Sequence, residues 1–134
     1  WALRQEGADL TIFARNPDKA KALAAEFGAA GGELEEADFN GYEVVINTTP
    51  LGTVGQLENE TPAPAAQLRG ARLAYDLVYN PTETQFLREA REAGCEVLGG
   101  LSMLIAQGAE QFKLWTGKDA PEDVMREAAR LKLQ

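Results

Sequence analysis

Short runs suited to strands alternate along this chain with segments suited to helices, and that alternation narrows the fold more than any other feature. Asp9–Ala14 (D-L-T-I-F-A), Glu43–Asn47 (E-V-V-I-N), Arg72–Val78 (R-L-A-Y-D-L-V) and Cys95–Leu98 are short and rich in β-branched, aromatic or aliphatic residues. Asn16-Pro17 opens a helix, with Asn16 as its cap and Pro17 in the first helical position. Ala20, Leu23, Ala24 and Phe27 recur along it at helical spacing, and Gly28 ends it. A second helix is predicted over Thr82–Ala93, with Thr82 placed to cap it and Gly94 to stop it. Ser102–Thr116 and Glu122–Leu131, the latter behind Pro121, complete the helical set. Residues 29–41 read as a short strand or loop with a turn, and 51–64 as a long loop. The pattern implies an α/β doubly wound, mostly parallel sheet with helices on both faces. Glu43–Asn47, continuously apolar at its centre, is expected to be a buried parallel strand. Trp1–Glu6, ending at Gly7, reads as the tail of a helix, so the fold is expected to be truncated before its first strand.

Composition excludes several classes of function. The 134 residues amount to one domain, 1–134, and at 45% hydrophobic they can bury a core. Thirteen basic against 21 acidic side chains give a net charge of −8, which argues against nucleic acid or an anionic membrane as partner. No apolar run approaches bilayer-spanning length, and no signal peptide is expected. The single cysteine, Cys95, cannot form an intrachain disulfide; it is expected to be structural, and a cytoplasmic location is expected. Histidine is absent, which removes Ser-His-Asp triads, Cys-His pairs and His-ligated zinc. Chemistry is left to Lys, carboxylates, hydroxyls, amides or a bound cofactor, and no metal is indicated.

Four segments stand where open α/β sheets bind ligands, at the carboxyl ends of strands. Arg15 ends the first strand, and Lys19 follows one turn into the next helix. A guanidinium and an ammonium beside a helix N-terminus can hold a phosphate, and the absence of Asp or Glu at this strand end fits a 2′-phosphorylated ribose. A solvated Arg and Lys on a helix start would look the same. Asn47-Thr48-Thr49-Pro50-Leu51-Gly52 is either a ligand-facing loop or a turn of good turn formers. Asp76-Leu77-Val78-Tyr79-Asn80-Pro81 puts Tyr79 at a sheet rim. In Gly99-Gly100-Leu101-Ser102-Met103-Leu104-Ile105-Ala106-Gln107, the glycines would let a ligand approach the backbone. Gln107 there reads as a substrate contact, a core amide or a solvated residue, and Met103 as core or cofactor contact.

Together these segments resemble the shikimate dehydrogenase family, and within it the C-terminal NADP-binding, Rossmann-like domain. Ala14–Lys19 looks like the family's N-R-T-x-x-R/K, Asn47–Gly52 like N-A-T-P-L-G-M, and Asp76–Pro81 like D-x-x-Y-x-P. Gly100–Gln107 is similar to G-L-x-M-L-x-x-Q, and Phe112–Gly117 to F-x-L-W-T-G. The order and gaps are family-like over nearly the whole chain. Departures are Ala14 for Asn, Asn16 for Thr, Thr53 for Met and Ser102 for Gly.

The resemblance implies reversible hydride transfer between shikimate and 3-dehydroshikimate with NADP as cofactor. It implies that Arg15 and Lys19 hold the 2′-phosphate and that Asn16 lies beside the adenosine. Asn47, Thr48 and Leu77 would line the nicotinamide side, with Gly100 and Met103 near the ring. Tyr79 and Gln107 would reach the substrate. The family's catalytic Lys and Asp belong to an N-terminal substrate domain, so no catalytic residue is assigned here and the chain alone is expected to be inactive. The Gly-rich loop, roughly 20 residues before Arg15, would fall ahead of Trp1. Residues 121–134 are expected to pack on the substrate domain; uncovered, that helix would invite self-association, with a homodimer as one outcome. Two other readings fit the residues: an NAD-using quinate/shikimate dehydrogenase, or a non-catalytic nucleotide-binding sensor of the same fold.

Overall fold

The structure, a computed structural model, describes residues 1–133. It divides into two compact units, 1–38 and 39 onward, each built on parallel strands.

The first unit runs α1 (Ala2–Gln5), β1 (Thr11–Ala14), α2 (Pro17–Glu26) and β2 (Ala30–Glu33). β1 and β2 pair in parallel, Thr11 opposite Ala30 and Ala14 opposite Glu33, with α2 as the crossover. The helix begins as its sequence dictates: Pro17 stands in the first turn, and the Asn16 side chain accepts from the Lys19 backbone N–H at 3.1 Å. Ala20 and Ala24 are buried, whereas Leu23, expected on the same face, is 45% exposed. The reason is the closeness of α2 to β2. A Cβ on Gly31 would stand 2.6 Å from the Lys21 Cα, and this approach favours small side chains on the packed face.

The second unit contains β3 (Val44–Asn47), α3 (Ala65–Leu68), β4 (Leu73–Asp76), α4 (Gln85–Glu92), β5 (Glu96–Leu98), α5 (Leu101–Thr116) and α6 (Glu122–Lys132). Its sheet has the order β3-β4-β5, with β4 in the middle. Ala74 on β4 and Leu68, Phe86 and Ala90 on the flanking helices are completely buried. Cys95 is buried just before β5, and its Sγ donates to the Leu68 carbonyl at 3.4 Å. Burial pushes its thiol pKa upward.

The parallel strands and their crossover helices are the α/β arrangement expected, laid out in a two-stranded and a three-stranded sheet. Two expectations change. β3 is not buried along its length: Val45 and Asn47 are, but Val44 is 45% exposed because it lies at the amino rim of an edge strand. The cap of α4 is Thr84 in place of Thr82, its hydroxyl accepting from the Leu87 N–H at 3.3 Å. Thr84 takes this role because the Asp76 carboxylate at the end of β4 holds the same hydroxyl. The short α3 carries no sequence signal that marked it. Among the described residues no helix is long and apolar enough to cross a membrane.

Candidate functional site

The carboxyl ends of β3 and β4 are joined by a buried polar network. Asp76, the last residue of β4, is fully buried. Its Oδ1 accepts from the Asn47 amide at 3.0 Å and from the Val78 N–H at 2.9 Å, and its Oδ2 from the Thr84 hydroxyl at 2.5 Å. Asn47, 3% exposed, closes the other side. Its Nδ2 also donates to the Leu51 carbonyl at 3.2 Å, while its Oδ1 accepts from the Thr49 N–H at 2.9 Å and the Thr49 hydroxyl at 2.7 Å. Both amide hydrogens and both acceptor sites of Asn47 are thereby used within the protein. Burial raises the Asp76 carboxyl above its ordinary 3.8, outweighing the donors from Thr84, Val78 and Asn47 that pull it down.

This network shapes the two loops that present the other candidates. Thr48, between the braced Asn47 and Thr49, is exposed. The Leu77 N–H donates to the Asn47 carbonyl at 3.1 Å, which extends the β3–β4 ladder by one step. Val54 N–H reaches the Asn80 carbonyl at 2.9 Å, tying the 51–58 loop to the 76–81 turn, where the Asn80-Pro81 peptide is cis. Tyr79 stands at the rim, 41% exposed.

On the side that a Cβ would take, Gly100 is packed against the chain's own backbone. A Cβ on Gly100 would lie 2.7 Å from both the Leu77 carbonyl carbon and the Val78 carbonyl oxygen. The Gly100 N–H donates to that Val78 oxygen at 3.3 Å, so β5's exit is seated directly on the 77–78 segment. Beyond it α5 begins, with Met103 half-buried and Gln107 exposed rather than in the core.

Asn47 and Gly100 thus each bond the 77–78 segment, the first at Leu77 and the second at Val78. Arg15, Asn16 and Lys19 belong to the first unit, at the carboxyl end of β1, and all three are exposed. Neither Arg15 nor Lys19 forms an ion pair among the described residues. Asp18 shares the same first turn and offsets part of their charge. At the opposite edge of the second sheet, a hollow lined by Glu43, Val44, Arg72, Leu73 and Glu96 sits at the strands' amino ends. No group of three metal-ligating side chains occurs among the described residues.

Sequence reasoning passed over Asp76 and Thr84 as individuals. The available signal was a carboxylate ending an apolar strand, with a hydroxyl eight residues on at a helix start.

A family described as the Shikimate 5'-dehydrogenase C-terminal domain matches residues 100–130. A "Shikimate dehydrogenase (NADP(+))" of Oleidesulfovibrio alaskensis is 46% identical over 115 residues, covering 84% of this chain and 41% of that protein. A shikimate 5-dehydrogenase of Thermus thermophilus, solved with NADP(H) and shikimate, superposes with a TM-score of 0.85 at 41% identity. That match covers 96% of this chain and 48% of the other. A shikimate dehydrogenase solved with NADP+ gives a TM-score of 0.86 at 36% identity, covering 94% and 47%. The chain spans about half the length of the curated relatives it matches.

Proposed function

The chain belongs to the shikimate dehydrogenase family, and from that premise we propose that it is the cofactor-binding half of an NADP-dependent shikimate dehydrogenase. The observation that carries this reading is the pair Arg15 and Lys19, exposed and without an ion-pair partner among the described residues, flanking the capped N-terminus of α2 at the end of a parallel strand. Their donor chemistry fits a 2′-phosphate, and no carboxylate ends β1 to bind a free 2′-hydroxyl in its place. An NAD-using enzyme would gain little from the same two cations.

Bound NADP+ supplies the hydride acceptor for oxidation of shikimate to 3-dehydroshikimate. Arg15 would hold the 2′-phosphate through its planar guanidinium, and Lys19 would add a point charge from the first turn of α2. With its oxygen committed to the helix cap, Asn16 would have its amide nitrogen left to offer the adenosine. Thr48 and Leu77 would line the nicotinamide side on loops that the buried network holds, with Met103 near the ring. Asn47 and Gly100 act from beneath, the first through the loop it braces and the second by letting β5 close on residues 77–78. Tyr79 and Gln107, both exposed, reach the substrate from this half.

On the family resemblance, the proton acceptor would be a Lys–Asp pair of a substrate domain, and this chain alone is expected not to turn over shikimate. We place α6 against that domain, because Val124 and Leu131 are 67% and 66% exposed on a helix with no buried residue. Such a helix also favours dimerisation of the isolated chain. We propose a cytoplasmic setting, with which a lone, buried thiol is compatible.

The test is cofactor reduction by the complete protein, with shikimate and quinate offered side by side and NAD+ as the control. Turnover of shikimate with NADP+ supports the proposal, and Arg15→Ala is then expected to lower kcat/KM for NADP+ while sparing that for NAD+. No turnover with either acid would overturn it. Preference for quinate and NAD+ would favour the close enzyme alternative.

A further inference from the structure

Among the described residues, Asp76 is a buried carboxylate that the roles above do not use. Asp76 lies at the junction of everything the nicotinamide side requires. One carboxylate oxygen fixes the Val78 N–H and, through the Asn47 amide, the loop carrying Thr48. The other is held by the Thr84 hydroxyl at the start of α4. The segment so held, 77–78, is the one on which Gly100 is seated. A buried carboxylate is costly unless several donors satisfy it, and a hydrophobic residue in its place would pack with no such cost. What a hydrophobic residue could not do is hold two strand-end loops and a helix start at fixed distances from one another.

Resting on the assignment of Thr48 and Leu77 to the nicotinamide side, we propose that Asp76, anchored by Thr84, is a positioning residue for hydride transfer. It touches neither cofactor nor substrate. It sets the Leu77 and Thr48 loops against each other, so that the ring they line stands at reacting distance from the carbinol carbon.

Displacements of an ångström at a reacting centre cost up to about a hundredfold in rate, whereas binding held by distant contacts is less affected. In the complete enzyme, Thr84→Val removes the anchoring hydroxyl at nearly constant volume. It is expected to lower kcat about tenfold, with the NADP+ Kd changed less than about threefold. Thr84→Ser, which keeps the hydroxyl, is expected to restore kcat. With shikimate deuterated at the oxidised carbon, the isotope effect on kcat is expected to rise in Thr84→Val, because hydride transfer becomes slower relative to product release. Loss of stability alone would not produce that signature. Asp76→Ala is expected to lower kcat further wherever it folds, but the inference does not depend on it.

A folded Thr84→Val with wild-type kcat and an unchanged isotope effect would overturn the inference and leave the proposed function standing. A complete protein that reduces NADP+ with neither shikimate nor quinate would overturn both. The two failures are therefore separable by the wild-type control.

Discussion

Gly100 and Leu77 meet backbone to backbone: a single added carbon on Gly100 would lie 2.7 Å from the Leu77 carbonyl carbon. The φ of Gly100 is −68°, so the demand for glycine here comes from contact with a neighbour and not from an unusual dihedral.

Gly100→Ala is accordingly expected to displace β5's exit from the 77–78 segment. Overpacking of this kind costs about 1–3 kcal/mol. Chemical denaturation would measure the loss, and cofactor reduction by the complete enzyme would register it separately. A variant with unaltered stability would show that the 77–78 segment moves aside freely.

Asn16→Ala is expected to lose the α2 cap, at a cost of about 1 kcal/mol. Because the Asn16 oxygen is already occupied by the Lys19 N–H, the change is also expected to loosen the first turn that carries Lys19. Helix content and the thermal midpoint report the first effect, and NADP+ titration the second.

Asp76 confers a pH dependence whose sign follows from its raised pKa. Folding favours the protonated carboxyl, so this group's contribution to stability is greatest at acid pH and declines as pH rises from its ordinary value of 3.8 through its folded-state pKa. Asp76→Asn removes that titration. Wild-type stability measured relative to Asp76→Asn is expected to fall with increasing pH over this interval. Thr84→Val, which deletes a donor to the charged form, is expected to shift the decline to higher pH. Denaturation curves of the three proteins at a series of pH values provide the check.

Phe86 is completely buried on α4. Phe86→Ala is expected to lose about 3–5 kcal/mol, by removal of apolar contact and the cavity left behind. Leu114→Ser, on a side chain 82% exposed, is expected to change stability by no more than about 0.5 kcal/mol. Denaturant midpoints for the pair would test whether the core lies where the burial places it.

Much of this was legible in the chain itself. Asn16-Pro17 fixed the start of α2, and glycines at 7, 28 and 94 marked helix ends in the left-handed conformation. β2 escaped a firm assignment because A-G-G-E has almost no strand propensity. It pairs with β1 because its glycines let α2 lie close. At the site, the segments were readable but the direction of their side chains was not. Asn47 looked like a ligand contact and turns inward, and Gly100 packs on the Leu77 backbone on the side that a Cβ would take. Thr84 became the cap of α4 through Asp76, a partner eight residues away across a turn. Local propensity favours Thr82 as readily, so only the tertiary contact decides between them.

The parallel register has a consequence for how the chain reaches its native state. Thr11 meets Ala30, Val44 meets Leu73, and Leu73 meets Glu96, so no strand finds its partner across a tight turn. Each ladder must wait for an intervening segment to fold back, and its loop-closure entropy is lost before any pairing rewards it. α2, whose cap at Asn16 is local, is placed to form ahead of the strands it connects, whereas α4 gains its cap only once Asp76 is in place. Folding is therefore a search for crossovers, with no hairpin among the described residues from which a sheet can zip.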